Sequence, residues 1–298
     1  MAPESAPEGA AWVRVEVGPL SLEGPPGYED LLESLAVRAR AFLPELERYL
    51  GVEPAGPIRM VLIPPDPSPY PGLARLDAAA PSWAAGFALS EARIGGIRIG
   101  KADRYPFGDP GGVLAHEVAH VMLHDAAGGS LPRWFNEGVS TSFQRRWSFR
   151  DTLVYSASLL VGSLPSLEEM DRAFSSHRRT RLGYAASFDF VDWATDEYGD
   201  DFVRRVLRET PEQPFPAAWR AATGEALWRS ERSWRRSSLA LYRWVPALTG
   251  AGTLWILVTL LFLAAAWRRR SRTQELYERW EEEDADAERR DRQGRWIH

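Results

Sequence analysis

The residues best suited to chemistry are the histidines and the glutamate of the segment His116-Glu117-Val118-Ala119-His120. Residues four positions apart on a helix lie on one face, so both imidazoles can point at a single metal ion. Glu117 lies beside one of these ligands, where a carboxylate can accept a proton from a water molecule that the ion activates. The spacing therefore predicts two metal ligands and a general base.

The flanking sequence favours a helix around this segment. Gly111-Gly112 precede it, and Gly128-Gly129 predict its end. Between these glycines lies an apolar body formed by Val113, Leu114, Val118, Val121, Met122 and Leu123.

A catalytic zinc site needs a third protein ligand, and Glu137 is the strongest candidate. Pro132 suits the first turn of a second helix. The glycine turn would fold that helix back onto the first, so that Glu137 faces both histidines. The second helix would bury one face made of Trp134, Phe135, Val139 and Phe143.

His124 is the rival third ligand. It lies two turns beyond His116, about 12 Å further along a straight helix, and one ion cannot bridge that span. We therefore predict that His124 is a surface residue near the negative end of the helix dipole.

Residues 114–120 and 132–138 resemble the gluzincin zinc metallopeptidases, specifically the bacterial peptidase MA-like group. Weaker similarity extends to residues 184–193 and 197–199, within a resemblance that covers residues 58–240. The resemblance implies that His116, His120 and Glu137 bind one Zn²⁺. It also implies that Glu117 is the general base for hydrolysis of a peptide or protein substrate.

Thr141 departs from the pattern of thermolysin-like enzymes, which carry an aspartate four residues after the glutamate ligand. A threonine hydroxyl can support a ligand histidine, but more weakly than a carboxylate. The family also uses a tyrosine or histidine to donate a hydrogen bond to the oxyanion. Tyr184 is our preferred donor and His177 the other candidate; the alternatives are a core tyrosine with its hydroxyl at the surface and a histidine in a solvated loop.

Residues 92–99 predict a strand just before the metal-binding helix. Gluzincins use an edge strand at this point to pair with an extended peptide, and glycines such as Gly95 and Gly96 let another backbone approach. An ordinary sheet strand with a bulge explains the same residues.

The predicted fold class is α+β, a zincin-like metallopeptidase domain with a small sheet and a helical subdomain. Residues 1–105 would form its strand and helix part and residues 106–242 its zinc-binding helical part, with the zinc helix between sheet and helices. Strands are predicted at Val13–Val17, Ile58–Ile63, 83–89 and 94–99. A helix at 28–50 would bury Leu31, Leu32, Leu35, Val37, Phe42 and Leu46.

The C-terminal part predicts a single membrane span at residues 243–267. The run from Trp244 to Trp267 has no charged residue, and it is longer than the roughly 20 residues that cross a bilayer. Arg268, Arg269 and Arg270 follow it, which favours a cytoplasmic location for the charged tail at 268–298 and an extracytoplasmic catalytic domain.

Composition limits the remaining functions. The net charge of −5 gives no nucleic-acid-binding footprint, and the absence of cysteine excludes disulfides and thiolate metal sites. No feature predicts an oligomeric state. We predict a membrane-anchored zinc metallopeptidase; the alternative is a non-catalytic, membrane-tethered peptide-binding module. An intramembrane protease is disfavoured because residues 113–123 are too few to span and Asp109 and Asp125 flank them.

Overall fold

The computed structural model describes residues 12–101, 109–144, 164–174, 177–249, 258–265 and 268. The chain divides into two compact units, Met1–Leu241 and Tyr242–His298. The first unit combines one sheet with a set of helices, which confirms the α+β prediction.

The sheet of the first unit has five strands. They are β1 (Val13–Val17), β2 (Leu20–Gly24), β3 (Ile58–Ile63), β4 (Gly86–Leu89) and β5 (Ile94–Arg98). Their spatial order is β1-β2-β3-β5-β4. The three central strands β2, β3 and β5 run parallel, whereas β1 and β4 pair antiparallel at the two edges.

The described helices follow and surround this sheet. They are α1 (Glu29–Leu50), α2 (Pro71–Ala78), α3 (Pro110–Ala127), α4 (Arg133–Gln144), α5 (Leu167–Ala173), α6 (His177–Tyr198), α7 (Phe202–Glu209), α8 (Phe215–Thr223) and α9 (Leu227–Thr249). Short 3-10 turns at Ser90–Ala92 and Ile99–Lys101 flank β5.

Helix α3 packs against strands β4 and β5 on one side and against α1 and α4 on others. The predicted position between the sheet and the helices is therefore confirmed. The side chain of Asp109 caps the helix by accepting hydrogen bonds from the backbone nitrogens of Gly111 and Gly112, at 2.8 and 3.0 Å. The helix thus begins at Pro110, so the two glycines belong to its first turn and do not precede it. Gly128, in the left-handed conformation at φ 66°, ends it as predicted.

An aromatic core fixes helix α4 in place. The rings of Trp134 and Phe190 meet edge to face, with centroids 4.9 Å apart, and Trp219 packs against both. Phe135 and Trp219 are fully buried. Because α4 carries Glu137, this core also determines where that carboxylate lies.

Of the two alternatives for residues 92–99, the edge strand is wrong and the ordinary sheet strand is correct, although its pairing with both neighbours is continuous and shows no bulge. Strand β5 lies inside the sheet, paired with β3 on one side and β4 on the other. Its glycines make room for these neighbours and not for a bound peptide. A Cβ atom on Gly95 would lie 2.6 Å from the sulfur of Met60 and 2.9 Å from the carbonyl oxygen of Phe87. The edge strand on this side of the sheet is β4.

Several local predictions are corrected or extended by the structure. Leu32, Leu35 and Leu46 of α1 are buried as predicted. Val37 is 61% exposed, and Ala36 and Ala39 complete the buried face in its place. Strand β4 begins at Gly86, three residues later than expected. Strand β2 and helix α2 were not predicted from the sequence.

Part of the predicted membrane span falls outside the residues that the structure describes, since 250–257 and 266–267 are not among them. Within the described part of the chain, no helix combines the length and the apolar character needed to cross a bilayer.

Replacing Gly95 with alanine should destabilise the sheet by about 1–3 kcal/mol, because the added methyl group overpacks against Met60 and the β4 backbone. The matched control is Gly72→Ala in α2, where nothing lies within 4 Å of the new methyl group. Chemical denaturation of both variants measures the free energy of unfolding. Equal stability of Gly95→Ala and wild type would contradict the interior placement of β5.

Candidate metal centre

Helices α3 and α4 bring His116, His120 and Glu137 together. One ligand atom from each lies within 4.8 Å of the other two. The Oε2 atom of Glu137 is 3.3 Å from Nε2 of His116 and 3.5 Å from Nε2 of His120. The two imidazole rings stand nearly perpendicular, at an interplanar angle of 86°. Two nitrogens and one carboxylate oxygen therefore converge on a single point.

The pKa values of the three ligands show where their charges lie. Burial lowers the pKa of His116 to about 4, and the charge of His120 acts in the same direction. Burial would also lower the pKa of His120, but the carboxylate of Glu137 outweighs it and raises that pKa to about 9. Burial opposes ionisation of Glu137, yet the charge of His120 and hydrogen bonds from both imidazoles hold its pKa far below the usual range. A cation is thus favoured beside Glu137.

Glu117 lies next to this cluster and is 3% exposed. Burial raises its pKa to about 8; the charge of Glu137 adds to this effect, while His120 and Arg98 oppose it. A carboxyl group with such a pKa can both accept and return a proton near neutral pH. Strand β4 passes close by, since a Cβ atom on Gly86 would lie 2.7 Å from Oε1 of Glu117.

Asn136 and Ser140 hold the imidazole of His120 in its orientation. Neither residue was predicted from the sequence. The Nδ1 atom of His120 lies 2.7 Å from Oδ1 of Asn136 and 3.2 Å from the hydroxyl of Ser140. The backbone of Ser140 also lies near His116 and raises its pKa, against the larger effect of burial. These contacts leave the Nε2 atom of each ring to face Glu137. The spacing of four residues between Asn136 and Ser140 was the available signal, because it places both on one helix face.

Thr141, whose hydroxyl could have supported a ligand histidine weakly, does not do so in the structure. Thr141 is fully buried, and its hydroxyl has no hydrogen-bond partner among the residues that the structure describes. The rotation of α4 instead directs Asn136 and Ser140 at the imidazole of His120.

Tyr184 lies beside the cluster, on helix α6. Its ring centroid is 6.1 Å from that of His116 and 5.2 Å from that of Phe174. Burial raises its pKa well above the usual value, and the charge of Glu137 and a hydrogen bond with Glu137 contribute. The hydroxyl therefore faces the site and not the surface. His177 is the first residue of α6 and not part of a loop; its side chain lies outside the described part.

Arg133 is a further site residue that the sequence analysis missed. Its Nε atom is 3.6 Å from Oε1 of Glu137, one helical turn away, and its guanidinium lies 5.0 Å from the ring centroid of Phe174. A charged residue four positions before a ligand glutamate was the signal for this pair. His124 takes no part in the cluster, since the group of metal-ligating type in the described chain consists of His116, His120 and Glu137.

Asn136→Ala should weaken zinc affinity by about 10–100-fold, because His120 loses the hydrogen bond that orients its ring. Thr141→Val, one turn further on the same helix, is the control and should bind zinc like wild type. Competition with a chromophoric chelator measures both affinities. A loss in Thr141→Val equal to that in Asn136→Ala would contradict this assignment.

Zinc binding near pH 7 should release about one proton, because His120, with its pKa raised to about 9, must lose its proton to become a ligand. The affinity for zinc should rise with pH and level off above pH about 9. Below the raised pKa of His120, a proton competes with zinc for the imidazole nitrogen, and above it the nitrogen is free of that proton. Calorimetry in buffers of different ionisation enthalpy counts the protons. A binding enthalpy that is independent of the buffer would contradict the release of a proton from His120.

Comparison with known proteins agrees with this geometry. The family model of the Peptidase MA superfamily matches residues 45–237, a segment that includes α3, α4 and α6. The uncharacterized protein YhcO of Bacillus subtilis (strain 168) is 24% identical over 131 residues. That alignment covers 42% of this chain and 40% of YhcO, so the chain spans less than half the length of this relative. By the extent of the family match, the chain belongs to the Peptidase MA superfamily.

Proposed function

We propose that this protein is a zinc-dependent metallopeptidase. The observation that carries the proposal is the convergence of His116, His120 and Glu137, with the buried carboxylate of Glu117 beside them. Membership of the Peptidase MA superfamily supports the same reaction class.

Zinc fits the donor set. Two imidazole nitrogens and one carboxylate oxygen are the ligands of many catalytic zinc sites, which keep a fourth position for water or substrate. The ionised carboxylate of Glu137 lies in a buried place where a divalent ion would neutralise it. When bound, zinc would polarise the substrate carbonyl and lower the pKa of water.

Each remaining residue has a role that its position supports. Glu117, whose pKa burial raises to about 8, would accept the proton of the attacking water and return it to the leaving amine. The hydroxyl of Tyr184 would donate a hydrogen bond to the oxyanion. The open edge of β4 would pair with an extended peptide, and Gly86 keeps that strand close to Glu117.

We further propose that the catalytic domain is tethered by a membrane span at residues 243–267. The uncharged run and the arginines that follow it support an extracytoplasmic domain and a cytoplasmic tail at 268–298. Protease added to intact cells should degrade the domain and spare the tail. Degradation of the tail alone would indicate the opposite orientation, with the domain inside the cell.

Glu117→Gln should lower kcat for peptide hydrolysis by about 10²–10⁴-fold while zinc content is unchanged, because the amide cannot accept the proton. Turnover of a peptide library and metal analysis of the same preparations measure the two effects. Equal activity of wild type and variant would refute the role of Glu117. Bound zinc without turnover in wild type would favour the alternative function, a tethered peptide-binding module.

Tyr184→Phe belongs in the same assay. Loss of one oxyanion donor should lower kcat by about 10²–10³-fold with little change in KM, since the hydrogen bond forms in the transition state. A change in KM alone would assign Tyr184 to substrate binding.

A further inference from the structure

Helix α9 carries a band of exposed residues that the proposed peptidase chemistry does not use. We call this band the arginine face; it comprises the exposed residues Trp228, Arg232, Arg236 and Leu239 and the half-buried Arg235. The intervals between these residues match the helical repeat, so they lie on one side of α9. At its two ends Trp228 is 54% exposed and Leu239 is 40% exposed.

The opposite side of α9 is fixed to the protein. Ser230, Trp234 and Ser238 are buried. The indole nitrogen of Trp234 donates to Asp189 at 2.7 Å, and the hydroxyl of Ser238 donates to the same carboxylate at 2.8 Å. These bonds tie α9 to α6 and set its rotation, so the arginine face points away from the core.

The arginine face is a preformed surface. The guanidinium groups of Arg229 and Arg232 lie 5.1 and 5.0 Å from the ring centroid of Trp228. Glu231 is the acidic residue in this groove, and it accepts a hydrogen bond from the backbone nitrogen of Leu167 at 3.3 Å. The same carboxylate lies 3.9 Å from the guanidinium of Arg235 and so offsets one positive charge. Arg232 and Arg236 still give the arginine face a net positive charge.

This chemistry matches the surface of an anionic bilayer. Guanidinium groups bind phosphate oxygens in pairs. Exposed tryptophan and leucine side chains lower the free energy when they leave water for the apolar boundary beneath the headgroups. The sequence beyond this helix face runs into the uncharged segment from Trp244 to Trp267, which suits contact with the same bilayer. Nucleic acid would match the guanidinium groups but not Leu239.

We propose that the arginine face docks on a bilayer that contains anionic phospholipids. This docking goes beyond peptide hydrolysis and does not depend on it. It differs from a simple tether, because a tether needs neither the arginines nor a charged lipid.

The chain has no cysteine, so a single introduced cysteine can carry a spin label. The full chain bearing Leu239→Cys is placed in nanodiscs of phosphatidylcholine alone or of an equal mixture with phosphatidylglycerol. Accessibility to oxygen, relative to a water-soluble nickel complex, reports entry into lipid. We expect lipid access in the mixed discs to exceed that in the neutral discs severalfold, and high salt to reduce the difference.

Two charge-matched triple variants test the arginines. Arg232→Gln, Arg235→Gln and Arg236→Gln together should abolish the dependence on phosphatidylglycerol. Replacing Arg48, Arg172 and Arg208, which are exposed on other helices, by glutamine should leave it intact. A second label at Val37→Cys should stay in water in every case, since Val37 is exposed on α1.

Equal lipid access of the Leu239 label in neutral and mixed discs would overturn the proposal. An equal loss in both triple variants, or an equal gain at Val37, would do the same. Persistence of the phosphatidylglycerol dependence in the first triple variant would also reject it. These outcomes are independent of peptidase activity, which each variant should retain.

Discussion

Two carboxylates and two imidazoles lie together in the interior of this protein, and the rest of the first unit is arranged around that constraint. An isolated charge costs many kcal/mol to bury, so such groups persist only when they pair with one another or with a metal. Glu137 is paired with both imidazoles, and Arg133 lies at its outer oxygen. The cluster therefore favours a positive charge beside the carboxylate of Glu137.

The pairing demands accurate placement of two helices. Helix α3 is capped by Asp109 and packed on the sheet, while the aromatic core around Trp219 holds α4. Asn136 and Ser140 then fix the rotation of the imidazole of His120. The imidazole of His120 is 13% exposed, whereas that of His116 is 1% exposed, so His120 marks the accessible side of the centre. Helix α4 therefore connects the aromatic core to the metal-ligating residues.

Local patterns were predictable, and spatial neighbours were less so. His116 and His120 follow from helical periodicity, which depends only on adjacent residues. Glu137 was predicted because a turn and a family resemblance linked it to them. The edge position of β5 was wrong, since strand order depends on contacts between distant segments, and β4 lies outside β5 although it precedes it in sequence.

The residues that orient the histidine ligands were harder to predict from the sequence than the ligands themselves. Identifying Ser140 as a support of His120 required the rotation of α4, which buried aromatic packing determines. Val37 was likewise assigned to the buried face of α1, although the small side chains of Ala36 and Ala39 share that face with the leucines. Alanine is weakly informative in sequence because it is compatible with either environment.

We expect one ion to be held by two imidazole nitrogens and the carboxylate of Glu137. Anomalous diffraction at the zinc edge from crystals of the zinc-loaded protein locates the ion directly. A single strong peak should lie within bonding distance of His116, His120 and Glu137. A peak that lacks Glu137 among its neighbours, or one that lies elsewhere in the chain, would contradict it.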